Sequence, residues 1–255
     1  EENQLNMDFL SKQTAYIIQI KITKVNKHYP FPLIVQKING LNLNDDNITE
    51  PVFMIVDNIY LEDLIHFQEI EFEIIKGYYW NGKKDYRIQD EIKKIFNKRV
   101  EYKKQKNPLQ QLYKLIMNSC YGKTIEKPVD KELVYIKGED QINKYVQRNY
   151  NSISEIVQIK DSDISAIKKI VPIDQHFNFS LLGIQVLSMS KRIMNEVMCL
   201  AYDIGCRIYY QDTDSMHIVK EDLERLESAF EKKYHRPLKG TNLGQFHTDF
   251  ASFTG

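Results

Sequence analysis

The sequence predicts an α+β fold, in which an early group of strands is followed by long helices and a late β-hairpin. Apolar residues alternate over 16–22 and recur in short runs over 51–56 and 71–79, as expected for strands. Residues 89–122 carry two helical patterns, and residues 181–204 carry a longer one. The chain has 255 residues, 42% of them hydrophobic, which is enough to bury a sizeable core.

The first third of the chain combines strands with loops and one short helix. Pro30-Phe31-Pro32 breaks the chain after the first strand, and Asn39-Gly40 predicts a turn. A short helix is expected over 61–67, where apolar residues recur at helical spacing.

Residues 89–127 predict two antiparallel helices. The first runs from about 89 to 104. The second has Asn107 as its N-cap and Pro108 at its first position, and Gly122 ends it. Only a few residues connect the two helices, so they are expected to pack as a helical hairpin.

The remainder of the chain is predicted to be less regular at first. Residues 128–172 are polar and are expected to be irregular, with one strand near 133–136. The long helix over 181–204 ends at Gly205, and two short apolar strands then flank a tight polar turn. A charged helix is expected over 221–232.

The charge distribution favours an anionic partner although the net charge is zero. Residues 41–75 contain nine acidic residues and no Lys or Arg, whereas residues 91–127 contain ten Lys and Arg against three Glu. A polyanion would be drawn to the second segment and repelled by the first. The alternative is an ordinary solvated helix face.

Cysteine usage and hydropathy restrict the setting of the protein. Three cysteines at unrelated spacings, with no CxxC pair, indicate neither a disulfide framework nor a zinc site. They favour a reducing, intracellular compartment, whose identity the sequence leaves open. No run of eighteen apolar residues is present, so no membrane span is expected.

Two carboxylates one residue apart, Asp212 and Asp214, lie at the junction of the two late strands. Like charges this close repel each other unless a cation lies between them. Mg²⁺ suits such a pair, since it prefers a few carboxylates together with substrate phosphates. Two alternatives remain at this point: a turn that uses Asp for its turn preference, and the DxD metal site of nucleotide-sugar glycosyltransferases.

A second candidate site lies on the two central helices. On the second helix Lys114, Asn118 and Tyr121 line up opposite an apolar face that is expected to face the core. On the first helix Arg99 and Lys103 continue the apolar stripe. Three cations on two facing helices suit a triphosphate, whose charge must be neutralised during phosphoryl-type transfer. The alternative is that these side chains only face solvent or extend past the core.

Two motifs make the sequence resemble the family B DNA polymerases. Residues 114–122 match the family motif KxxxNSxYG, and residues 210–215 resemble its YxDTDS motif, in the family's order. Arg99 and Lys103 occupy the positions at which the family's fingers helix carries its triphosphate-binding Arg and Lys. The short fingers resemble those of the protein-primed branch, which includes phage, plasmid, organellar and large viral polymerases.

The resemblance implies a four-part organisation around a polymerase palm, an antiparallel sheet with helices. Residues 1–88 would form the palm and insertion segment after the first palm motif, and residues 89–127 the two-helix fingers. Residues 128–172 would be a second insertion, and residues 173–255 the second half of the palm. The implied partners are primer–template DNA, a dNTP and, in the protein-primed branch, a terminal priming protein, in the replication of viral, plasmid or mobile-element DNA.

The resemblance also implies a role for each motif residue. Asp214 would be the main metal ligand of the hairpin and Asp212 a weaker one, in a site for two Mg²⁺ ions. The residues implied to bind the nucleotide are Lys114, Arg99, Lys103 and Asn118. The residues implied to line the nascent pair and the template are Ser119, Tyr121 and Gly122. The reaction would be attack of a primer 3′-hydroxyl on the α-phosphate, with release of pyrophosphate.

The sequence also departs from the family. The first palm motif, DxxSLYP, which supplies another essential metal-binding Asp, is absent, as is the exonuclease domain. The 255-residue chain alone is therefore expected to show no polymerase activity. The alternatives are a decayed polymerase that only binds nucleic acid and, more remotely, a DxD glycosyltransferase.

Overall fold

The computed structural model describes residues 6–127, 130–172 and 179–248. The chain forms two compact units. We call the part up to Tyr86 and from Ile184 onward the discontinuous unit, and Arg87–Gly183 the inserted unit. Residues 173–178, at the start of the predicted second palm segment, lie outside the described residues. The four-part division implied by the resemblance stays a prediction.

The α+β prediction is confirmed by the described elements. The strands are β1 (Ala15–Val25), β2 (Val35–Ile38), β3 (Leu41–Asn44), β4 (Val52–Asp57), β5 (Ile70–Trp80), β6 (Lys131–Lys137), β7 (Ile153–Gln158), β8 (Ile164–Ile170), β9 (Ile208–Asp212) and β10 (Ser215–Ile218). The helices are α1 (Met7–Leu10), α2 (Asn58–Gln68), α3 (Arg87–Lys104), α4 (Leu109–Thr124), α5 (Glu139–Asn149), α6 (Ser180–Asp203) and α7 (Lys220–Tyr234), with a 3₁₀ turn at Tyr150–Ser152. No described helix combines the length and apolar character that a membrane crossing requires.

An antiparallel sheet in the order β4-β1-β5 forms the centre of the discontinuous unit. Alternate residues of β1 point into the core, and Ile18, Ile20 and Ile22 are fully buried there. Side chains of α2, including Leu61 and Leu64, belong to the same buried cluster. The alternation seen in the sequence thus marks the buried face of β1, as the period of two in a strand requires.

Gly77 of β5 pairs with Ile18 and allows β5 to approach β1 closely, next to a register shift between Gln19 and Ile20. A Cβ atom at position 77 would lie 2.5 Å from the carbonyl oxygen of Ile17 and 2.6 Å from Cγ2 of Ile18. Any larger residue would force the two strands apart, so the close pairing of Gly77 with Ile18 requires glycine.

A second core anchors the late hairpin of the discontinuous unit. It contains Val197 and Ala201 of α6 together with Leu226 and Phe230 of α7. Ile208 of β9 and Met216 and Ile218 of β10 pack against this cluster. The strands of the hairpin are therefore fixed to α6 and α7.

The inserted unit contains the α3–α4 hairpin and a sheet in the order β6-β8-β7. The prediction that 128–172 would be largely irregular was wrong: residues 130–172 contain three strands and α5. Ile167 is fully buried, but the other apolar side chains of these strands are half-buried or exposed and are interspersed with Lys, Glu and Ser. This composition hides the strand pattern, because strand propensity depends on packing partners that the sequence does not reveal.

Asp57 is a buried carboxylate at the junction of β4 and α2. Its Oδ1 accepts hydrogen bonds from the Tyr60 amide at 2.9 Å and from Ser188 Oγ at 2.9 Å. Its Oδ2 is buried and has no hydrogen-bond donor among the described residues. Burial raises the pKa of the Asp57 carboxyl above its usual range, since desolvation disfavours the charged form.

We predict that Asp57→Asn stabilises the protein increasingly as the pH rises. A carboxyl whose pKa is raised by folding binds its proton more tightly in the folded chain. The free energy of unfolding therefore falls as the pH rises above the pKa of the unfolded chain. Asn keeps the accepting Oδ1 and removes this dependence. Thermal unfolding of the unaltered chain and of Asp57→Asn is measured from pH 4.5 to 8. The Tm of Asp57→Asn should rise relative to that of the unaltered chain as the pH increases. A difference that stays constant across this range would contradict the prediction.

Candidate active site

A two-residue turn, Thr213-Asp214, connects β9 to β10. Asp212 at the end of β9 pairs with Ser215 at the start of β10. Thr213 has a φ of 33°, in a region that β-branched residues avoid. Its Oγ1 donates to Asp212 Oδ1 at 2.9 Å, and Ser215 Oγ donates to the carbonyl oxygen of Asp212 at 3.3 Å. The turn is therefore a defined and locally strained structure, of the kind often found at functional sites.

Both carboxylates of this turn face solvent, whereas the base of the hairpin is packed. Asp212 and Asp214 are exposed. Across the strands, the rings of Tyr210 and His217 meet edge to face with centroids 5.3 Å apart. The packed strands thus present two hard oxygen-donor groups at an accessible tip.

These two carboxylates fit part of a Mg²⁺ site. Carboxylate oxygens on an exposed turn suit this cation, which retains water and phosphate ligands. Within the described ranges, no group of three or more His, Cys, Asp or Glu side chains could hold a metal ion. The hairpin could therefore supply two of the oxygen ligands that such a site needs.

The α3–α4 connection is closed by hydrogen bonds and one aromatic pair. The Asn107 amide donates to the carbonyl oxygen of Tyr102 at 2.9 Å, and Asn107 Oδ1 accepts from the Leu109 amide at 3.0 Å. Tyr102 and Tyr113 stack at 5.4 Å between ring centroids. The predicted cap was one residue off: α4 begins at Leu109 rather than at Pro108, and its N-cap is Pro108 rather than Asn107.

The three cations predicted to bind the triphosphate lack acidic partners among the described residues, as do Lys93, Lys98, Lys104 and Lys106 of the same helical hairpin. Arg99 is half-buried, and its Nε is buried without a hydrogen-bond acceptor. Lys103 and Lys114 are exposed and form no ion pair within the described part of the chain. By contrast, Lys94 pairs with Glu91 at 2.6 Å. A buried donor left unsatisfied costs about 1–3 kcal/mol, so the Nε of Arg99 is a costly unpaired group within this hairpin.

The motif residues at the end of α4 form an accessible polar surface. Asn118, Ser119 and Gly122 are exposed, and Tyr121 is half-buried. The opposite face, which the sequence predicted to be a core face, is also open: Leu109, Leu112 and Ile116 are 45%, 49% and 37% exposed. The expectation of a buried apolar face on α4 was therefore wrong, because no residue of α3 or α4 is fully buried.

The predicted site residues thus fall into two groups. Asp212 and Asp214 lie together on the hairpin of the discontinuous unit, and the predicted nucleotide and template residues lie together on α3 and α4 of the inserted unit. Neither the left-handed backbone at Thr213 nor the buried Nε of Arg99 could be predicted from the sequence. Both depend on the tertiary surroundings of the motif residues rather than on their identity.

Comparison with known proteins identifies the family. Residues 1–196 match the family described as DNA polymerase type B, organellar and viral, and the chain belongs to this family. The matched region includes α3, α4 and the motif at 114–122, and it ends before the Asp212-Asp214 hairpin. The family predicted from the two motifs is confirmed.

Two curated relatives are DNA polymerases. The chain is 29% identical over 175 residues to a DNA polymerase of Kluyveromyces lactis, a match covering 68% of this chain and 17% of that protein. It is 34% identical over 131 residues to a DNA polymerase of Acidianus bottle-shaped virus, covering 50% of this chain and 19% of that protein. The matched region is therefore less than a fifth of either polymerase.

Another relative is short, and a solved structure shows the same fold. The chain is 26% identical over 148 residues to uncharacterized protein 075R of Invertebrate iridescent virus 3, and the match covers 55% of this chain and 84% of that protein.

The structure of Phi29 DNA polymerase complexed with primer–template DNA matches this chain with a TM-score of 0.50 and 18% identity. The match covers 82% of this chain and 32% of that one. At this identity the likeness concerns the fold alone.

Proposed function

We propose that this chain is the nucleotide-binding and metal-binding segment of a DNA-directed DNA polymerase, which transfers dNMP from a dNTP to a primer 3′-hydroxyl. The observation that carries the proposal is the group of Arg99, Lys103 and Lys114 on α3 and α4, without acidic partners among the described residues. These helices lie inside the region that matches the polymerase family. Cations with no competing carboxylates are available to a polyphosphate.

Each motif residue then has a role suited to its chemistry. Lys103 and Lys114 act as point charges on the triphosphate, and Arg99 adds a directional donor. Asn118 lies one turn after Lys114 on α4, where its amide can both donate to and accept from the nucleotide. Together these groups hold the triphosphate and neutralise the charge that develops on the leaving pyrophosphate.

The residues that follow on α4 are proposed to face the nascent base pair. Tyr121 offers a flat ring on which a base or base pair can stack, and Gly122 leaves room for it, since a Cβ there would meet nothing within 4 Å. Ser119 adds a small hydroxyl beside them. This surface would favour a correctly shaped base pair before the nucleotide is transferred to the primer.

The turn at 212–214 is proposed to hold the metal ions of the reaction. Asp214 is the principal ligand and Asp212 the weaker one, and the hydrogen bond from Thr213 fixes one oxygen of Asp212. Mg²⁺ at this turn would supply Lewis-acid activation of the primer 3′-hydroxyl and shield the phosphate charge. Primer–template DNA is the proposed macromolecular partner, and a terminal priming protein is proposed for initiation on viral, plasmid or mobile-element DNA.

Binding of a fluorescent dNTP with Mg²⁺ and primer–template DNA tests the nucleotide site in the 255-residue chain. Lys103→Ala and Lys114→Ala should each weaken binding about tenfold, the loss of roughly 1.4 kcal/mol expected for one charge-assisted contact. Lys104→Ala is the matched control, because Lys104 is exposed, carries the same charge and points about 100° away on the same helix. An equal loss in all three variants would show that net charge alone governs binding and would contradict the assigned site.

A further inference from the structure

Gly183 lies in the first turn of α6, where it makes a close approach to the end of α4. Its amide donates to the carbonyl oxygen of Phe179 at 3.0 Å. A Cβ atom at this position would lie 2.5 Å from Thr124 Oγ1 and 3.3 Å from Thr124 Cβ, and it would overlap Cγ2 of Ile125. All these residues belong to the inserted unit. The contact therefore leaves no room for any side chain at 183.

The residues that Gly183 touches are tied to the motif helix. Thr124 Oγ1 donates to the carbonyl oxygen of Tyr121 at 2.7 Å, and the Ile125 amide donates to the carbonyl oxygen of Gly122 at 3.3 Å. These two bonds close the last turn of α4, where the helix has carbonyl groups without intrahelical partners. Gly183 thus packs on the two residues that hold the backbone of Tyr121 and Gly122.

Neither neighbour can move aside easily. Thr124 and Ile125 are β-branched, so their side chains have few rotamers available. Rotation of Thr124 about χ1 to avoid a methyl group at 183 would remove its hydroxyl from the Tyr121 carbonyl. The backbone of the last turn would then have to shift or lose that hydrogen bond.

We propose that Gly183 is a positioning residue for nucleotide binding: its missing side chain lets the first turn of α6 support the last turn of α4 and so fixes Tyr121 and Gly122. The inference rests on the proposed function, because it assumes that this turn faces the nascent base pair. Gly183 touches neither substrate nor metal and acts only through Thr124 and Ile125. Displacements of about 1 Å can reduce a positioned reaction or interaction up to a hundredfold.

The experiment measures the Kd of the correct dNTP with Mg²⁺ and primer–template DNA, together with the Tm of each variant of the 255-residue chain. Gly183→Ala should weaken binding about tenfold, and adding Ile125→Ala should recover part of the loss by removing the overlapping Cγ2. Gly82→Ala is the matched control, since a Cβ at 82 meets nothing within 4 Å. It should bind as the unaltered chain does.

A pair of substitutions at Thr124 tests the same route without altering Gly183. Thr124→Val removes the hydroxyl and keeps the shape, so it should weaken dNTP binding as Gly183→Ala does. Thr124→Ser keeps the hydroxyl and should bind nearly normally. If the unaltered chain binds dNTP while Gly183→Ala and Thr124→Val both bind equally well, the inference is wrong. If the unaltered chain binds no dNTP, the proposed function and the inference that rests on it both fail.

Discussion

Replacing Asp214 with Asn in the polypeptide that carries this segment is expected to reduce templated nucleotide incorporation on the order of 10³-fold, the usual effect of removing one preorganised electrostatic contact to a transition state. The amide keeps the size of the side chain but removes the charge that would hold Mg²⁺. Because the turn is exposed and lies at the tip of a packed hairpin, the fold should be retained. Single-turnover incorporation with saturating dNTP measures the effect.

Two further substitutions make this result specific. Asp212→Asn should have a smaller effect, since Asp212 is the weaker ligand in the proposal. Asp161→Asn is the matched control: Asp161 is exposed, has a φ of 58° and lies between β7 and β8, far from the motifs in sequence. It should retain normal incorporation. Unchanged incorporation by Asp214→Asn would show that the hairpin has no role in catalysis.

Arg192→Met is expected to cause the largest loss of stability. Arg192 Nε donates to Asp63 Oδ1 at 2.6 Å, and Asn195 Nδ2 donates to Asp63 Oδ2 at 2.9 Å. Asp63 is only 3% exposed. Removing the guanidinium leaves a buried carboxylate without its counter-charge, which should lower the free energy of unfolding by roughly 3–5 kcal/mol. Urea denaturation of the 255-residue chain measures the change.

The surroundings of Asp63 provide the control and the compensating variant. Lys24→Met removes a cation from an exposed pair with Glu71, with N and O 3.1 Å apart, and should leave stability unchanged within error. The double variant Arg192→Met/Asp63→Leu removes both the buried carboxylate and its half-buried partner, and it should recover more than half of the loss. A decrease of less than about 1 kcal/mol in the free energy of unfolding of Arg192→Met would mean that the pair behaves like a surface ion pair. The interaction of Arg192 with Asp63 would then not hold α6 to α2.

Regular periodicity explains which parts of the fold could be predicted. The strand over 16–22 and the helix over 181–204 have long, uninterrupted patterns, and they correspond to β1 and α6. The sheet of the inserted unit was missed because its strands carry Lys and Glu between apolar residues and bury few of them. The β2–β3 hairpin was also missed, although the turn at Asn39-Gly40 that connects its strands was identified.

In the candidate site, the sequence identified the residues of the motifs but not the residues that surround them. Spacing and charge identified Asp212, Asp214, Lys114 and Arg99, because these residues carry the chemistry themselves. Sequence could not identify Gly183, whose significance depends on a contact with Thr124 across 59 positions of the chain. Close approaches of this kind are tertiary properties, and a lone glycine within a helical pattern carries no signal for them.

Single-nucleotide primer extension by the complete polypeptide that contains this sequence shows whether the segment belongs to a working DNA polymerase. We expect incorporation of the dNMP complementary to the template base, dependent on Mg²⁺. We also expect loss of that incorporation in Asp214→Asn and a raised KM for dNTP in Lys103→Ala but not in Lys104→Ala. Binding of a nucleotide sugar in place of primer–template DNA, or the absence of template-directed incorporation by a folded protein, would contradict these expectations.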